Sequence, residues 1–202
     1  AALEIAAILL NLQAGDEVIM PSFTFTTTAT SVVLRGATPV FVDVDGATFN
    51  IDPSAVERAI TPRTKAIFVV HYAGVPADMT RLTEIAQQHG LKIVEDAAQA
   101  YGSSQNGQPV GVLGAMSCFS FHGTKNISAG EGGALVINDA DFVERAEIIR
   151  EKGTDRKRFF AGAVPFYTWQ DIGSSYVCNE ITAAFLSAQL KEATATNARR
   201  IQ

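Results

Sequence analysis

The sequence predicts an α/β fold: a mostly parallel sheet with helices on both faces, three layers in all. Three observations predict it. Apolar runs of strand length recur, as GDEVIMP, TPVFVDVD, KAIFVVHY and LKIVEDAA. Segments of helical period separate them, and nearly continuous apolar strands joined through helices belong to sheets covered on both sides. Turn formers such as Gly36, Pro53 and Gly90 fall at the joints.

The elements follow in order. The opening AALEIAAILLNLQAGDE reads as a helix with Leu3, Ala6, Ala7 and Leu10 inward and Gly15 as its stop. GDEVIMP is a strand closed by Pro21, and TFTTTATSVVLRG is a helix ending at Gly36. After the strand TPVFVDVD, Asp52-Pro53 starts a helix through Ile60, with proline in the first turn. KAIFVVHY is a strand, MTRLTEIAQQHG a helix stopped at Gly90, and LKIVEDAA a strand. Gly, Ser, Asn and Pro dominate from Gly102 to Gly114, which reads as loop. Two short strands follow, AMSCFSF and GGALVIN, then an Asp-capped helix in DADFVERAEIIREKG. Residues 154–175 are polar, aromatic and irregular and read as a functional loop, and the chain closes on a long helix from Asn179 to Gln202.

Composition bounds the function. The 202 residues are 47% apolar and 18% charged, an ordinary globular balance with enough chain for a core. A net charge of −5 is poorly suited to gripping nucleic-acid phosphates. No apolar run has the length of a membrane span, and the N-terminus has no signal-peptide pattern. Cys118 and Cys178 stand far apart, outside CxxC or zinc spacing, so neither a disulfide framework nor a metal site is expected and a cytoplasmic location fits. The first helix starts without a cap and the last simply runs out, so the chain reads as one domain cut from the interior of a larger protein.

Familiar signatures are absent: GxxxxGK[ST], GxGxxG after a strand, GxSxG and HExxH do not occur. Asn126-Ile127-Ser128 is a chance match to the glycosylation sequon. Two segments remain. Ile93-Val94-Glu95-Asp96-Ala97-Ala98-Gln99 puts a carboxylate at the C-terminal end of a buried parallel strand, where open α/β sheets bind ligands. Asp96 reads equally as a cap for the next turn. Glu95 points to the other face and reads as structural. Ser120-Phe121-His122-Gly123-Thr124-Lys125-Asn126 precedes the glycine-rich Gly130-Glu131-Gly132-Gly133. A lone lysine is usually solvated, but small neighbours let a ligand approach this one, and a partly desolvated lysine acts as nucleophile or base. His122 reads as a structural histidine or a proton carrier.

VEDAAQA, SFHGTKN and GEGG, in that order, resemble the sugar-nucleotide aminotransferases of the DegT/StrS type, which use pyridoxal phosphate. GDEVIMPSFTF, GATPVFVDVD, ITPRTKAI and VHYAG extend the resemblance over nearly the whole chain. It implies the large domain of the type I fold of pyridoxal-phosphate enzymes over residues 1–202. The phosphate-binding turn before AALEIAA and the small C-terminal domain would then lie outside the sequence. It implies that Lys125 bonds covalently to the cofactor and then carries a proton. It implies that Asp96 pairs with the pyridine nitrogen, Gln99 lies near the ring hydroxyl, Ser120 binds the phosphate and Phe25 stacks on the ring. Core packing is the alternative for Phe25. Many relatives have Gly-x-Asn-Tyr-Arg where this chain has Gly173-Ser174-Ser175-Tyr176-Val177, so Ser175 takes the place of an asparagine that reaches the neighbouring subunit's cofactor phosphate.

IIREKGTDRKRFF and YTWQDIGSSY resemble one subgroup more closely. Its members convert dTDP-4-dehydro-6-deoxy-glucose to the 4-amino-4,6-dideoxy-galactose sugar nucleotide, as in enterobacterial common antigen and lipopolysaccharide synthesis. The implied partners are a nucleotide-sugar substrate, an amino-acid donor such as L-glutamate, and a second subunit in a homodimer. Related sugar dehydratases replace the lysine, often with histidine, so Lys125 favours transamination. A non-catalytic module binding pyridoxal phosphate or a sugar nucleotide is the rival from another class.

Overall fold

The computed structural model of the chain describes residues 1–201; Gln202, the end of the expected C-terminal helix, lies outside the described residues. The strands are β1 (Glu17–Pro21), β2 (Thr38–Val42), β3 (Thr64–Val70), β4 (Lys92–Asp96), β5 (Ser104–Gln105), β6 (Gln108–Pro109), β7 (Met116–Ser120) and β8 (Gly133–Ile137). The helices are α1 (Ala2–Leu9), α2 (Thr26–Val33), α3 (Pro53–Ala59), α4 (Met79–His89), α5 (Val143–Arg150), α6 (Arg156–Phe160), α7 (Glu180–Lys191) and α8 (Ala193–Ile201). Six strands form one sheet in the order β2-β1-β3-β4-β7-β8. All neighbours run parallel except β7 and β8, which are antiparallel. This is the three-layer, mostly parallel architecture that the apolar runs predict.

Strand alternation divides the core into two layers. Val18, Met20, Ala66, Phe68, Val94, Met116 and Cys118 pack with α1, with Val32 of α2 and with Ala146 and Ile149 of α5. Ile19, Ile67, Val69 and Ile93 face the other way, onto Val56 of α3 and onto Met79, Leu82 and Ile85 of α4. Asp96 shares the parity of Val94 and faces the α1/α2 layer. Glu95 shares the parity of Ile93 and faces the α3/α4 layer. One strand thus delivers adjacent carboxylates to opposite sides of the sheet.

Local chemistry explains most boundaries. Asp52 caps α3 by accepting from the Ser54 N–H, and Asp78 caps α4 through the Arg81 N–H. Gly90 ends α4 in the left-handed conformation, φ 66°. Four boundaries differ from the expectation, one of them in the 154–175 segment read as irregular loop, which contains the short helix α6 (Arg156–Phe160). The first helix stops at Leu9, and Asn11 (φ 54°) takes the left-handed position that was expected of Gly15. The 102–114 loop contains a small hairpin, β5-β6, turned by Asn106-Gly107 with both φ positive (51° and 78°). The C-terminal helix breaks at Glu192, which lets Ala193 pack with Phe121 and Ile127. Among the described residues, no helix is long and apolar enough to cross a membrane, and no group of His, Cys, Asp and Glu could hold a metal ion.

Candidate active site

Asp96 ends β4, next to the centre of the sheet, with its backbone in register with Val70 on one side and Cys118 on the other. Its side chain is buried. Oδ2 accepts a 2.8 Å hydrogen bond from Thr28 Oγ1 on α2, and Oδ1 accepts from the Ala98 N–H at 3.2 Å. Thr28 in turn meets Thr24 Oγ1 at 2.8 Å. Because the Thr28 proton is committed to the carboxylate, the Thr24 hydroxyl is the donor in that contact. Burial raises the Asp96 pKa, while the Thr28 hydroxyl, the Ala98 N–H and the positive charge of Lys125 act against the rise. The capping reading of Asp96 is therefore half right: it does bond the following turn, and it also binds a helix 68 residues earlier in the chain.

Lys125 lies in the loop between β7 and β8, half-buried. Its N–H bonds the His122 carbonyl at 2.9 Å, closing a turn that the Gly123 N–H ties to the Gly130 carbonyl at 2.8 Å. Ile127, buried beneath the loop, holds it to Phe121 and Ala193, and Arg200 of α8 donates to Asn126 Oδ1 at 2.7 Å. The Lys125 ammonium has no ion-pair or hydrogen-bond partner among the described residues, although its charge is felt at Asp96. An amine held on a fixed loop and unpaired there is available to a ligand.

The other expected residues fall in different relations to this pair. Ser120 ends β7, and its hydroxyl accepts from the His122 N–H at 3.3 Å. Gln99, just past β4, is exposed; its Oε1 accepts from the Ala73 N–H at 2.7 Å. Phe25 precedes α2 and is 74% exposed, which removes core packing as its explanation within this chain. Ser175 is exposed and bridges to Glu151, beyond α5. His122 is exposed, with Nδ1 engaged by Thr124 and Nε2 3.6 Å from Glu131.

Sequence reasoning missed two members of this region. Thr28 hides in the run TFTTTATS, where only its four-residue spacing from Thr24, just ahead of α2, hints at a role. His71, at the end of β3, is fully buried against Glu95, its Nε2 2.9 Å from Oε2. Glu95 also accepts from the Gly111, Leu113 and Gly114 N–H groups at 3.1, 2.9 and 2.7 Å. Burial raises the Glu95 pKa, but the bonds from His71, Gly114 and Gly111 outweigh it, and the carboxyl lies below its ordinary value.

Comparison with known proteins decides what this arrangement belongs to. The whole span 1–202 matches the DegT/DnrJ/EryC1/StrS aminotransferase family. The chain belongs to that family. The L-glutamine:scyllo-inosose aminotransferase of Streptomyces griseus is 44% identical over 99% of the chain and 48% of its own length. The GDP-perosamine synthase of Caulobacter vibrioides is 42% identical over 94% of the chain and 49% of its own length. The X-ray structure of the aminotransferase from Psychrobacter cryohalolentis superposes with a TM-score of 0.89 at 37% identity, covering 95% of this chain and 49% of that one. The chain spans about half the length of the curated relatives it matches. Membership implies pyridoxal phosphate as cofactor. The donor set fits it: a buried carboxylate for a pyridinium nitrogen, an unpaired amine for its aldehyde, and a hydroxyl and an amide for its oxygens.

Proposed function

We propose that this chain is the cofactor-binding large domain of an aminotransferase that moves an amino group onto a nucleotide-linked keto sugar. The observation that carries the reading is the Asp96–Lys125 relationship: a buried carboxylate on the central strands, fixed by Thr28, within electrostatic reach of an unpaired amine. Bound pyridoxal phosphate supplies an electron sink for a carbon that has lost its proton. Asp96 holds the proton on the pyridine nitrogen, because a carboxylate in a dry setting stabilises a cation in contact with it. Lys125 Nζ would hold the cofactor and, when free of it, would carry a proton from the donor's α-carbon. Ser120 and Gln99 donate hydrogen bonds to cofactor oxygens, and Phe25 covers a ring face.

The finer reading is a dTDP-4-dehydro-6-deoxy-glucose substrate with L-glutamate as donor, giving dTDP-4-amino-4,6-dideoxy-galactose. IIREKGTDRKRFF and YTWQDIGSSY support it. The reading includes a homodimer with Ser175 directed at the partner's cofactor phosphate. Exposed Phe160, Phe166, Trp169, Ile181 and Phe185, all beyond Arg150, are apolar surface for such an interface.

The test is an absorbance titration with pyridoxal phosphate, run beside Lys125→Ala and followed by L-glutamate. A protein-dependent band that the variant loses, and that glutamate bleaches, is the expected result. A band that glutamate leaves unchanged points to a binding module. Absence of a band at Lys125 in the intact protein overturns the reading.

A further inference from the structure

The turn that follows β3 is bonded at nearly every backbone group. The Tyr72 N–H donates to Asn50 Oδ1 (2.9 Å), the Ala73 N–H to Gln99 Oε1 (2.7 Å) and the Gly74 N–H to the His71 carbonyl (3.3 Å). Ser103 Oγ donates to the Gly74 carbonyl at 2.6 Å, and Asn50 Nδ2 to the Val75 carbonyl at 3.0 Å. Ala73 and Gly74 both have positive φ, 51° and 82°. For alanine this is a strained conformation that persists only when its surroundings impose it.

The hydrogen bonds with Asn50, Gln99 and Ser103 hold the turn in this conformation, and His71 anchors its start. The His71 backbone N–H donates to the Asp96 carbonyl at 3.2 Å, and its side chain links Glu95 to the Ala77 N–H. The Ala77 N–H donates into Nδ1 at 3.1 Å, so Nδ1 offers a lone pair and the ring proton sits on Nε2, facing Glu95 Oε2. Both side chains are fully buried. The same histidine therefore ties the turn to Asp96 through the backbone and to Glu95 through the ring.

The turn has one consequence at the candidate site. A primary amide can sit either way round. With Oε1 taken by the Ala73 N–H, Gln99 is locked with its NH2 outward, and that NH2 has no partner among the described residues. Resting on the aminotransferase reading above, we infer that His71 and Glu95 are positioning residues for the cofactor ring. Their buried bond holds the 71–74 turn, the turn orients Gln99, and Gln99 presents a hydrogen-bond donor, rather than an acceptor, to the oxygen on the ring.

Two substitutions separate the two bonds of His71. Gln at this position retains a donor for Glu95 and gives up the acceptor for Ala77; Asn does the reverse. The first readout uses apoprotein and is amide hydrogen exchange at Ala73. His71→Gln keeps near-native protection, whereas His71→Asn loses about tenfold or more, the size of one lost bond to a buried charge. The second readout is the pH midpoint of the bound cofactor's absorbance band, which the donor on its ring oxygen sets: His71→Asn shifts it and His71→Gln does not. Gln99→Glu, at an exposed position outside the core, keeps an acceptor for Ala73 and removes the NH2. It retains Ala73 protection and shifts the midpoint. The inference is overturned if the His71 variants do not differ, if protection falls with the midpoint unmoved, or if Gln99→Glu titrates like wild type. A wild-type protein with no cofactor band overturns the aminotransferase reading itself, and is distinguished from these outcomes because the variants are never needed to see it.

Discussion

Thr28 Oγ1 holds Asp96 Oδ2 at 2.8 Å, so that the first turn of α2 and the end of β4 share one buried polar contact. Burial alone favours a neutral Asp96; the hydroxyl is the strongest influence on the other side. Thr28 thus helps decide whether the site carries the anion that a pyridinium needs.

Thr28→Val keeps the shape and removes the donor. It leaves the carboxylate short of one buried hydrogen bond, at a cost of about 1–3 kcal/mol in stability at neutral pH. The Asp96 pKa rises further, and cofactor affinity falls most at the lower end of the pH range, where the raised pKa leaves more of the variant's Asp96 protonated. Urea unfolding and cofactor titration at several pH values measure both. Unchanged stability and affinity would place the Thr28 bond outside the function of Asp96.

The fold class was legible because burial on both faces of the sheet leaves nearly unbroken apolar runs such as AIFVV, and their alternation with helices marks a parallel α/β sheet. The strand end at Asp96 and the lysine loop were legible for the same reason: Gly and charge sit where an apolar strand stops. Their mutual relation was not. It depends on α2 folding back so that Thr28 meets Asp96 and on β7 lying beside β4, and neither long-range pairing leaves a local pattern. His71 was hidden within KAIFVVHY because a fully buried histidine at a strand end has the same sequence signature as an exposed one. The Asn106-Gly107 hairpin, by contrast, carried a readable turn signal inside a segment that composition marks only as loop.

The Glu95 network gives a pH signature. Its folded pKa lies below the ordinary value, so its contribution is fully present above the unfolded value of about 4.3 and is lost as pH falls through the folded value. Glu95→Gln turns an NH2 group toward donors that the carboxylate accepted. Losing hydrogen bonds to a buried charge costs about 1.5–3 kcal/mol for each bond at neutral pH. The deficit relative to wild type shrinks as pH is lowered past the glutamate range, because there the wild-type carboxyl is protonated too. Denaturant unfolding of both proteins between neutral and acid pH tests this; a deficit constant with pH contradicts the ionised network.

The two cysteines differ in reactivity. Cys118 is buried in β7, where burial pushes its thiol well above the ordinary range, with the nearby Asp96 charge adding to the effect. Cys178 is exposed. A thiol reagent modifies one cysteine per native chain, at Cys178, and reaches Cys118 only on unfolding. Peptide mapping after a timed pulse reads this directly, and rapid labelling of Cys118 in folded protein would show that β7 opens.

Arg145 supplies the last prediction, because it joins three segments that the sequence does not connect. From α5, its Nη1 donates to the Ile8 carbonyl at 3.0 Å and to Asn11 Oδ1 at 2.6 Å, at the end of α1, where helical carbonyls lack partners. Its Nε donates to Asp171 Oδ2 at 2.7 Å, which holds the Asp171 carboxyl below its ordinary range. Asp171 begins the approach of 171–173 to Gly153, where the backbones meet so closely that a Cβ on Gly153 would collide with the Asp171 carbonyl. Arg145→Met keeps the apolar stem and removes every one of these donors. The pair with Asp171 is partly exposed and contributes little by itself. The lost bonds at the α1 terminus bring the total to about 1–2 kcal/mol. Release of Asp171 also frees the 170–175 segment, so hydrogen exchange there rises more than in β4. A variant with wild-type exchange across 170–175 would show that the glycine contact, not Arg145, holds that segment in place.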